Sequence, residues 1–413
     1  MPQKKNSLLR KRPMTRSSKD PRLATDVVHA GEVRPYPHHA LTLPILETAT
    51  YTFENTADLR QFMEARMWGR AGGRVEYGRY GNPTVSAVEA KLSMLEAGQA
   101  AVLFSSGMAA VTTALLSLLY AGDHIVITDD SYRRTRQFCL TFLKRWQIES
   151  TVVPAGDLEQ LEGSIQSNTK VIVSESPTNP YLRVMDLKRL VAIAERHKVK
   201  TLIDSTFATP INQRPLEFGI DLVVDSATKY LGGHNDLLAG VVAGSESLMA
   251  MIRQNLWVLG AVCDPQTAYL IQRGIKTLSL RVMQQNESAQ KVAEFLEREP
   301  GVQRVWYPGL RSHPDYEVAR QQMKGYGGVV SFELNGDLEA TSRFIDAVQL
   351  PLIASSLGGV ETLIEQPALM SYYELSSEER EEIGIKDNLV RLSIGIESLD
   401  DLIADLAQAL ESL

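Results

Sequence analysis

The sequence predicts an α/β protein: a large, mainly parallel sheet covered by helices, with a smaller C-terminal α+β domain packed against it. Three observations carry this expectation. From about Gln99, short apolar runs alternate with amphipathic stretches, the pattern of parallel strands joined by helical crossovers. After about Gly244 the pattern shifts to long helix-like segments with few strands between them. No internal repeat or low-complexity linker interrupts the 413 residues, a length that supports two or three domains each with a core of its own.

Taken in order, Ala101-Val102-Leu103-Phe104 reads as the first strand of the sheet, and Ser105-Ser106-Gly107 turns it into a helix ending near Leu119. His124-Ile125-Val126-Ile127-Thr128, Val171-Ile172-Val173, Thr201-Leu202-Ile203 and Leu222-Val223-Val224 are the following strands. Between Asp186 and His197, Leu187, Leu190, Val191 and Ile193-Ala194 share one helical face. Residues 266–295 read as helical, Val329-Val330-Ser331-Phe332 and Val390-Arg391-Leu392-Ser393-Ile394 as strands, and residues 399–413 as a closing helix.

The formal charge of -7 argues against a general nucleic-acid binder, which carries a basic surplus. No apolar run is long enough to cross a bilayer; the most apolar stretch, residues 108–121, is broken by Thr112, Thr113 and Ser117 and reads as a buried helix. Cys139 and Cys263 form neither a disulfide framework nor a zinc cluster, and suit a reducing compartment such as the cytoplasm. Lys4, Lys5, Arg10, Lys11, Arg12, Arg16, Lys19 and Arg22 make the N-terminus basic. It lacks the apolar core of a secretory signal and reads first as a disordered arm, second as an organelle presequence.

Ligands of open α/β sheets bind beyond the carboxyl ends of the strands. Asp204 ends one strand; Ser226, Thr228 and Lys229 follow another; Ser106-Gly107-Met108 joins a strand to a helix; Tyr132 follows a fourth strand. Pyridoxal 5′-phosphate (PLP) asks for these groups. Its aldehyde needs a lysine, and its pyridine nitrogen a carboxylate. Its phosphate suits a helix N-terminus with nearby hydroxyls, and its ring an aromatic face. Each element alone has a plainer reading: a turn aspartate, a helix cap, a solvated lysine. Their joint placement favours the cofactor. There is no G-x-x-x-x-G-K-[ST] loop and no G-x-G-x-x-G after a strand. The histidines lack ligand spacing, so no metal site is expected, and Ser105-Ser106-Gly107 is not a nucleophile elbow.

Asp204-Ser205-Thr206-Phe207-Ala208-Thr209-Pro210 and Ser226-Ala227-Thr228-Lys229-Tyr230-Leu231-Gly232-Gly233-His234 closely resemble the PLP enzymes of Cys/Met metabolism. The resemblance runs from about Thr25 to the C-terminus. Residues 76–84 (Glu-Tyr-Gly-Arg-Tyr-Gly-Asn-Pro-Thr), 132–136, 175–180 and 384–391 look most like plant-type cystathionine γ-synthase. The resemblance implies a fold-type I enzyme with a seven-stranded-type large domain. It divides the chain into an arm and linker to a neighbouring subunit (1–68), a PLP-binding domain (69–265) and a C-terminal domain (266–413).

It further implies that Lys229 binds the cofactor as a Schiff base and shuttles protons. Asp204, with Thr206 beside it, faces the pyridine nitrogen, and Tyr132 stacks on the ring. Ser106, Gly107, Met108, Ser226 and Thr228 hold the phosphate. Tyr77 and Arg79 complete that site from the neighbouring subunit, so the smallest active unit is a dimer, with a tetramer expected from two of them. Arg391, Asn179 and Ser356 bind the substrate α-carboxylate, and Tyr77 joins Lys229 and Tyr132 as a candidate acid or base. Arg134, where plant-type enzymes usually carry lysine, is expected to meet the leaving group; Ser355 occupies a position that varies with reaction type. The implied reaction is γ-replacement on an O-activated L-homoserine by L-cysteine. The alternatives are γ-elimination and replacement by another nucleophile. A non-catalytic homologue is disfavoured by the intact set Lys229, Asp204, Tyr132 and Arg391.

Overall fold

A computed structural model describes residues 23–70 and 73–413. The basic stretch from Lys4 to Arg22 lies outside the described residues. Seven strands form the large sheet: β1 (Ala100–Phe104), β2 (His124–Thr128), β3 (Glu149–Val153), β4 (Thr169–Glu175), β5 (Lys200–Asp204), β6 (Leu222–Asp225) and β7 (Gly240–Gly244). Their order is β1-β7-β6-β5-β4-β2-β3, and only β7 runs antiparallel to its neighbours. Alternate residues of the central strands feed cores on opposite faces. Ile125, Val173, Leu202 and Val224 pack with Ala110 and Leu115 of the Gly107–Leu118 helix. Val126, Ile172, Ile203 and Val223 pack with Leu187, Leu190 and Ile193 of the Leu187–His197 helix. With both faces covered, the strands are apolar throughout, which is why they were readable as runs.

The five strands of this sheet read from the sequence are present. Two were missed. β3 is half exposed and begins with polar Glu149-Ser150-Thr151, so it carries no apolar run. β7 is bounded by glycines, and Gly240 has a packing reason: a Cβ there would lie 2.3 Å from the Ser106 carbonyl oxygen. The close approach seats the start of the Gly107–Leu118 helix against β7.

The second sheet comprises β8 (Val302–Trp306), β9 (Val329–Leu334), β10 (Leu352–Ile353), β11 (Leu363–Glu365) and β12 (Leu389–Ser393), ordered β10-β11-β12-β9-β8. Ala289, Val292, Leu402 and Leu406, from the Leu278–Leu296 and Leu399–Leu410 helices, pack with Phe332 and Phe344 beneath it. The stretch 266–295 is two helices, Pro265–Ile275 and Leu278–Leu296. Buried Arg281 spans the break, donating to the carbonyls of Gly274 and Tyr230, both at 2.8 Å. This ties the interhelical corner to the loop that carries Lys229.

Glu96, which ends the Pro83–Leu95 helix, and Asp225, which ends β6, bring their buried carboxyls together. Neither oxygen of Glu96, nor Oδ2 of Asp225, has a hydrogen-bond partner of another kind among the described residues. Burial raises both acidities' midpoints, reinforced by the mutual charge at Glu96 and by the Asp204 charge at Asp225. A carboxylate at a helix C-terminus is disfavoured by the dipole as well. The pair therefore keeps a proton at neutral pH that the unfolded chain has released. For a raised carboxyl, stability is full below the unfolded midpoint near pH 4 and falls as pH rises towards the folded one. Asp225→Asn is expected to flatten that fall by up to about 1.4 kcal/mol per pH unit. Urea midpoints of wild type and variant between about pH 5 and pH 8 check this; parallel pH profiles would contradict it.

Candidate active site

Beyond the carboxyl ends of β2, β4, β5 and β6 lies a cavity of about 460 Å³. Ser106, Gly107, Met108, Tyr132, Asn179, Asp204, Thr206, Ser226, Thr228, Lys229, Ser356 and Arg391 all line it. Every candidate residue from the sequence is thus brought together except Tyr77, Arg79 and Arg134.

Lys229 sits in a tight loop after β6, its N–H donating to the Ser226 carbonyl at 3.0 Å and its own carbonyl accepting from Gly233 at 2.7 Å. The Thr228 hydroxyl closes the loop by exchanging hydrogen bonds with the Ala239 backbone at 3.0 and 3.2 Å. Buried Tyr230 fixes the other side, its hydroxyl accepting from Gly328 N–H at 3.1 Å. The Lys229 Nζ donates to Ser356 Oγ at 2.7 Å. Burial, then the nearby Arg391 cation, pulls its pKa down to about 8, against an opposing pull from Glu365. A useful fraction of the amine is therefore unprotonated near neutral pH.

Asp204 is held at the floor by Thr206, whose N–H (3.0 Å) and hydroxyl (2.5 Å) donate to Oδ1. Thr206 Oγ1 in turn accepts the Ser226 N–H at 2.8 Å, linking two strand ends. Burial raises the Asp204 pKa while the Thr206 bonds oppose it. Ser106 caps the Gly107–Leu118 helix, Oγ accepting from Ala109 N–H at 3.1 Å. The first-turn N–H groups have no intrahelical acceptor. A Cβ at Gly107 would meet Ser226 Cβ and Oγ at 3.0 Å, so glycine keeps this cradle open. An anion-accepting cradle, a buried carboxylate and a buried lysine within one cavity fit PLP in size and chemistry.

Arg391, on β12, lies opposite Glu365 of β11 and pairs with it at 2.9 Å, both side chains buried. Its guanidinium also donates to Asn179 Oδ1 at 3.1 Å and to the Ser356 carbonyl at 2.9 Å. Its Nε is buried without a partner among the described residues, leaving a donor for an incoming carboxylate. Ser356 holds φ at 117°, a costly conformation for serine. It puts a hydroxyl on Lys229 and a carbonyl on Arg391.

Tyr77 and Arg79 line a separate groove of about 500 Å³ with Asp264 and Pro265. Arg79 donates to the Trp257 carbonyl at 2.6 Å and lies over the rings of Tyr77 and Tyr80. Exposed Arg134 donates to Gln137 Oε1 at 2.8 Å and does not line the cavity. Among the described residues no His, Cys, Asp or Glu group could hold a metal ion, and no helix is long and apolar enough to cross a membrane.

Sequence reasoning missed two acidic residues of the cavity. Glu175 ends β4 as Asp204 ends β5, a placement the strand-end criterion could have caught. Glu365 follows apolar Leu363-Ile364, where a buried charge demands a partner.

A parallel-type sheet with lysine, carboxylate and helix N-terminus converging at its carboxyl ends defines a fold-type I PLP enzyme. The chain belongs to the family described as Cys/Met metabolism PLP-dependent enzymes, whose model matches residues 24–411. It is 49% identical over 389 residues to cystathionine gamma-synthase 1, chloroplastic, of Arabidopsis thaliana, spanning 94% of this chain and 68% of that one. It is 43% identical over 390 residues to a cystathionine beta-lyase of Lactococcus lactis, spanning 94% and 99%. The crystal structure of metB from Corynebacterium glutamicum superposes with a TM-score of 0.87 at 37% identity, covering 94% of this chain and 97% of that one. The chain is accordingly a PLP-dependent, cystathionine γ-synthase-like enzyme acting on small molecules of Cys/Met metabolism, as the sequence motifs implied.

Proposed function

We propose that the enzyme catalyses γ-replacement on an O-phospho-, O-succinyl- or O-acetyl-L-homoserine, with L-cysteine as nucleophile and L-cystathionine as product. The observation that carries the amino-acid reading is the Lys229–Ser356–Arg391 cluster, which sets an amine and a carboxylate clamp side by side. The higher identity to the γ-synthase than to the lyase favours replacement.

Bound PLP would supply an electron sink for charge developing at the substrate Cα. Lys229 would hold it, with Asp204 on its pyridine nitrogen, positioned by Thr206, and Tyr132 across its ring. The Gly107 and Met108 N–H groups, with Ser106, Ser226 and Thr228, would take the phosphate. The Lys229 amine, when free, would take the Cα proton and later return it. Arg391, Asn179 and Ser356 orient the α-carboxylate so that this proton faces Lys229. Tyr132 and Tyr77 are the remaining proton carriers, and Arg134 attracts an anionic leaving group.

Tyr77 and Arg79 lie outside the Lys229 cavity of their own chain, which accords with their serving a neighbouring subunit's site. The active unit is then at least a dimer, and two dimers make the tetramer. Arg79→Ala mixed with Lys229→Ala should regain activity through hybrid sites. Absence of rescue after demonstrated subunit exchange would rule out shared sites. On this reading residues 1–68 are the arm, 69–265 the PLP domain and 266–413 the C-terminal domain. The location proposed is the cytoplasm; the chloroplastic relative supports the second reading of the basic N-terminus as a presequence.

An identity of 41% over 398 residues to an L-methionine gamma-lyase of Fusobacterium nucleatum supports a second reading, elimination of the cystathionine or methionine γ-lyase type. Product analysis with each of the three esters, with and without cysteine, separates them. Replacement predicts cystathionine with cysteine and little ketobutyrate; equal ketobutyrate in both conditions would establish elimination, and homocysteine from added sulfide with no cystathionine from cysteine would indicate another nucleophile.

A further inference from the structure

Glu175 is buried at the edge of the cavity between the Tyr132 loop and the Asp204 strand end, and although it opens one of the resembling segments, no role is assigned to it there or in the mechanism above. Its Oε2 accepts the Tyr132 backbone N–H at 2.8 Å. That N–H opens the short Arg133–Gln137 helix, where no side chain supplies a cap. The next residue, Arg133, donates to the Ser371 carbonyl and, at 2.7 Å, to Glu374. The Tyr132 segment is therefore pinned from below by Glu175 and from the side by the chain after β11.

We propose that Glu175 is a positioning residue that holds Tyr132 over the cofactor ring by accepting its backbone N–H; this rests on the reading of Tyr132 as the stacking partner. The groups facing the Glu175 carboxyl are Asp204, Asp130, Arg391 and Tyr372. Three carboxyls in one buried neighbourhood cannot all ionise, and Asp204 is the one required as a carboxylate opposite a pyridinium. Burial, then the charges of Asp204 and Asp130, pushes the Glu175 pKa well above its ordinary range. Glu175 thus serves as a neutral acid: an acceptor for Tyr132 that adds no second negative charge beside Asp204. A glutamine, neutral and of the same reach, can replace it; a methionine, of similar size, cannot.

Visible circular dichroism of the bound cofactor and its dissociation constant test this on the holoenzyme. Glu175→Met is expected to weaken cofactor binding about tenfold or more, the effect of a buried N–H left without its acceptor, and to alter the dichroic band. Glu175→Gln is expected to stay within about threefold of wild type in affinity, with the wild-type band. If Glu175→Met does not fold, Glu175→Asp, which withdraws the acceptor by one methylene, is expected to give the same weakening and altered band. An unchanged band and affinity in the Met variant, or in Asp where Met does not fold, would overturn the positioning role. Glu175→Gln failing as badly as that variant would overturn the neutral-acid assignment. Tyr132→Ala is the control: an unaltered band there refutes the stacking reading itself, whereas an altered band there with an unaffected Glu175 variant refutes only this proposal.

Discussion

Lys229→Ala is expected to lose the absorbance of lysine-bound PLP and to cut turnover by at least about 10³-fold. The lysine has two tasks, and proton transfer by a positioned group alone contributes about 10²–10⁴-fold. Its environment is built for the free amine: burial and the Arg391 cation bring its pKa to about 8. The fold should survive, because among the described residues the Lys229 side chain makes a single hydrogen bond, to Ser356, and its loop is held by Thr228, Ala239 and Tyr230 backbone and side-chain contacts. Absorbance, turnover and thermal unfolding on one preparation give the answer. A variant that keeps its colour and turns over within tenfold of wild type would remove Lys229 from the mechanism.

The second large effect is at Arg391. Arg391→Leu should raise KM and lower kcat/KM by about 30- to 5,000-fold, the loss of a buried charged hydrogen-bonding partner at about 2–5 kcal/mol. It also strands Glu365, whose pKa burial already raises and which Arg391 and Lys229 hold down. The stranded carboxyl must bind a proton to stay buried. The variant's stability deficit should therefore be small in acid and grow as pH rises through neutrality. Arg391→Leu combined with Glu365→Leu is expected to regain stability, since a buried pair replaced by apolar groups is often neutral or better. Substrate affinity should not return. Denaturant midpoints beside KM values separate the structural from the binding role; recovery of KM in the double variant would exclude Arg391 as the carboxylate clamp.

Most of the large sheet and the floor of the site were legible because both depend on short stretches of chain. A strand buried on two faces is an apolar run, and a residue just past it points into the ligand crevice, so Asp204, Ser226 and Lys229 could be placed. β7 was hidden by its glycines: Gly240 is required by contact with Ser106, far away in sequence, and Gly244 by contact with the Asp221 carbonyl. Glu365 was hidden because its meaning depends on Arg391 across a strand pair. Ser356 was named for its motif, yet its joint hold on Lys229 and Arg391 is a property of the packed chain. The separation of Tyr77 and Arg79 from the Lys229 cavity is a matter of three-dimensional placement that no spacing rule encodes.

The insertion of β7 between β1 and β6 bears on how the enzyme is made. Among the described residues β7 is the one strand paired with β1, apart from a single bridge from Phe104 to Val262, so the sheet edge beside the phosphate cradle stays open until residue 244 has left the ribosome. The lysine loop lies between β6 and β7 and closes at the same moment. Ser356 and Arg391 arrive later still, with the second sheet. A nascent chain thus assembles the strands and helix N-terminus of its cofactor floor before its substrate clamp, while the contacts of Arg281 and Gly328 that brace the lysine loop come with the later sequence.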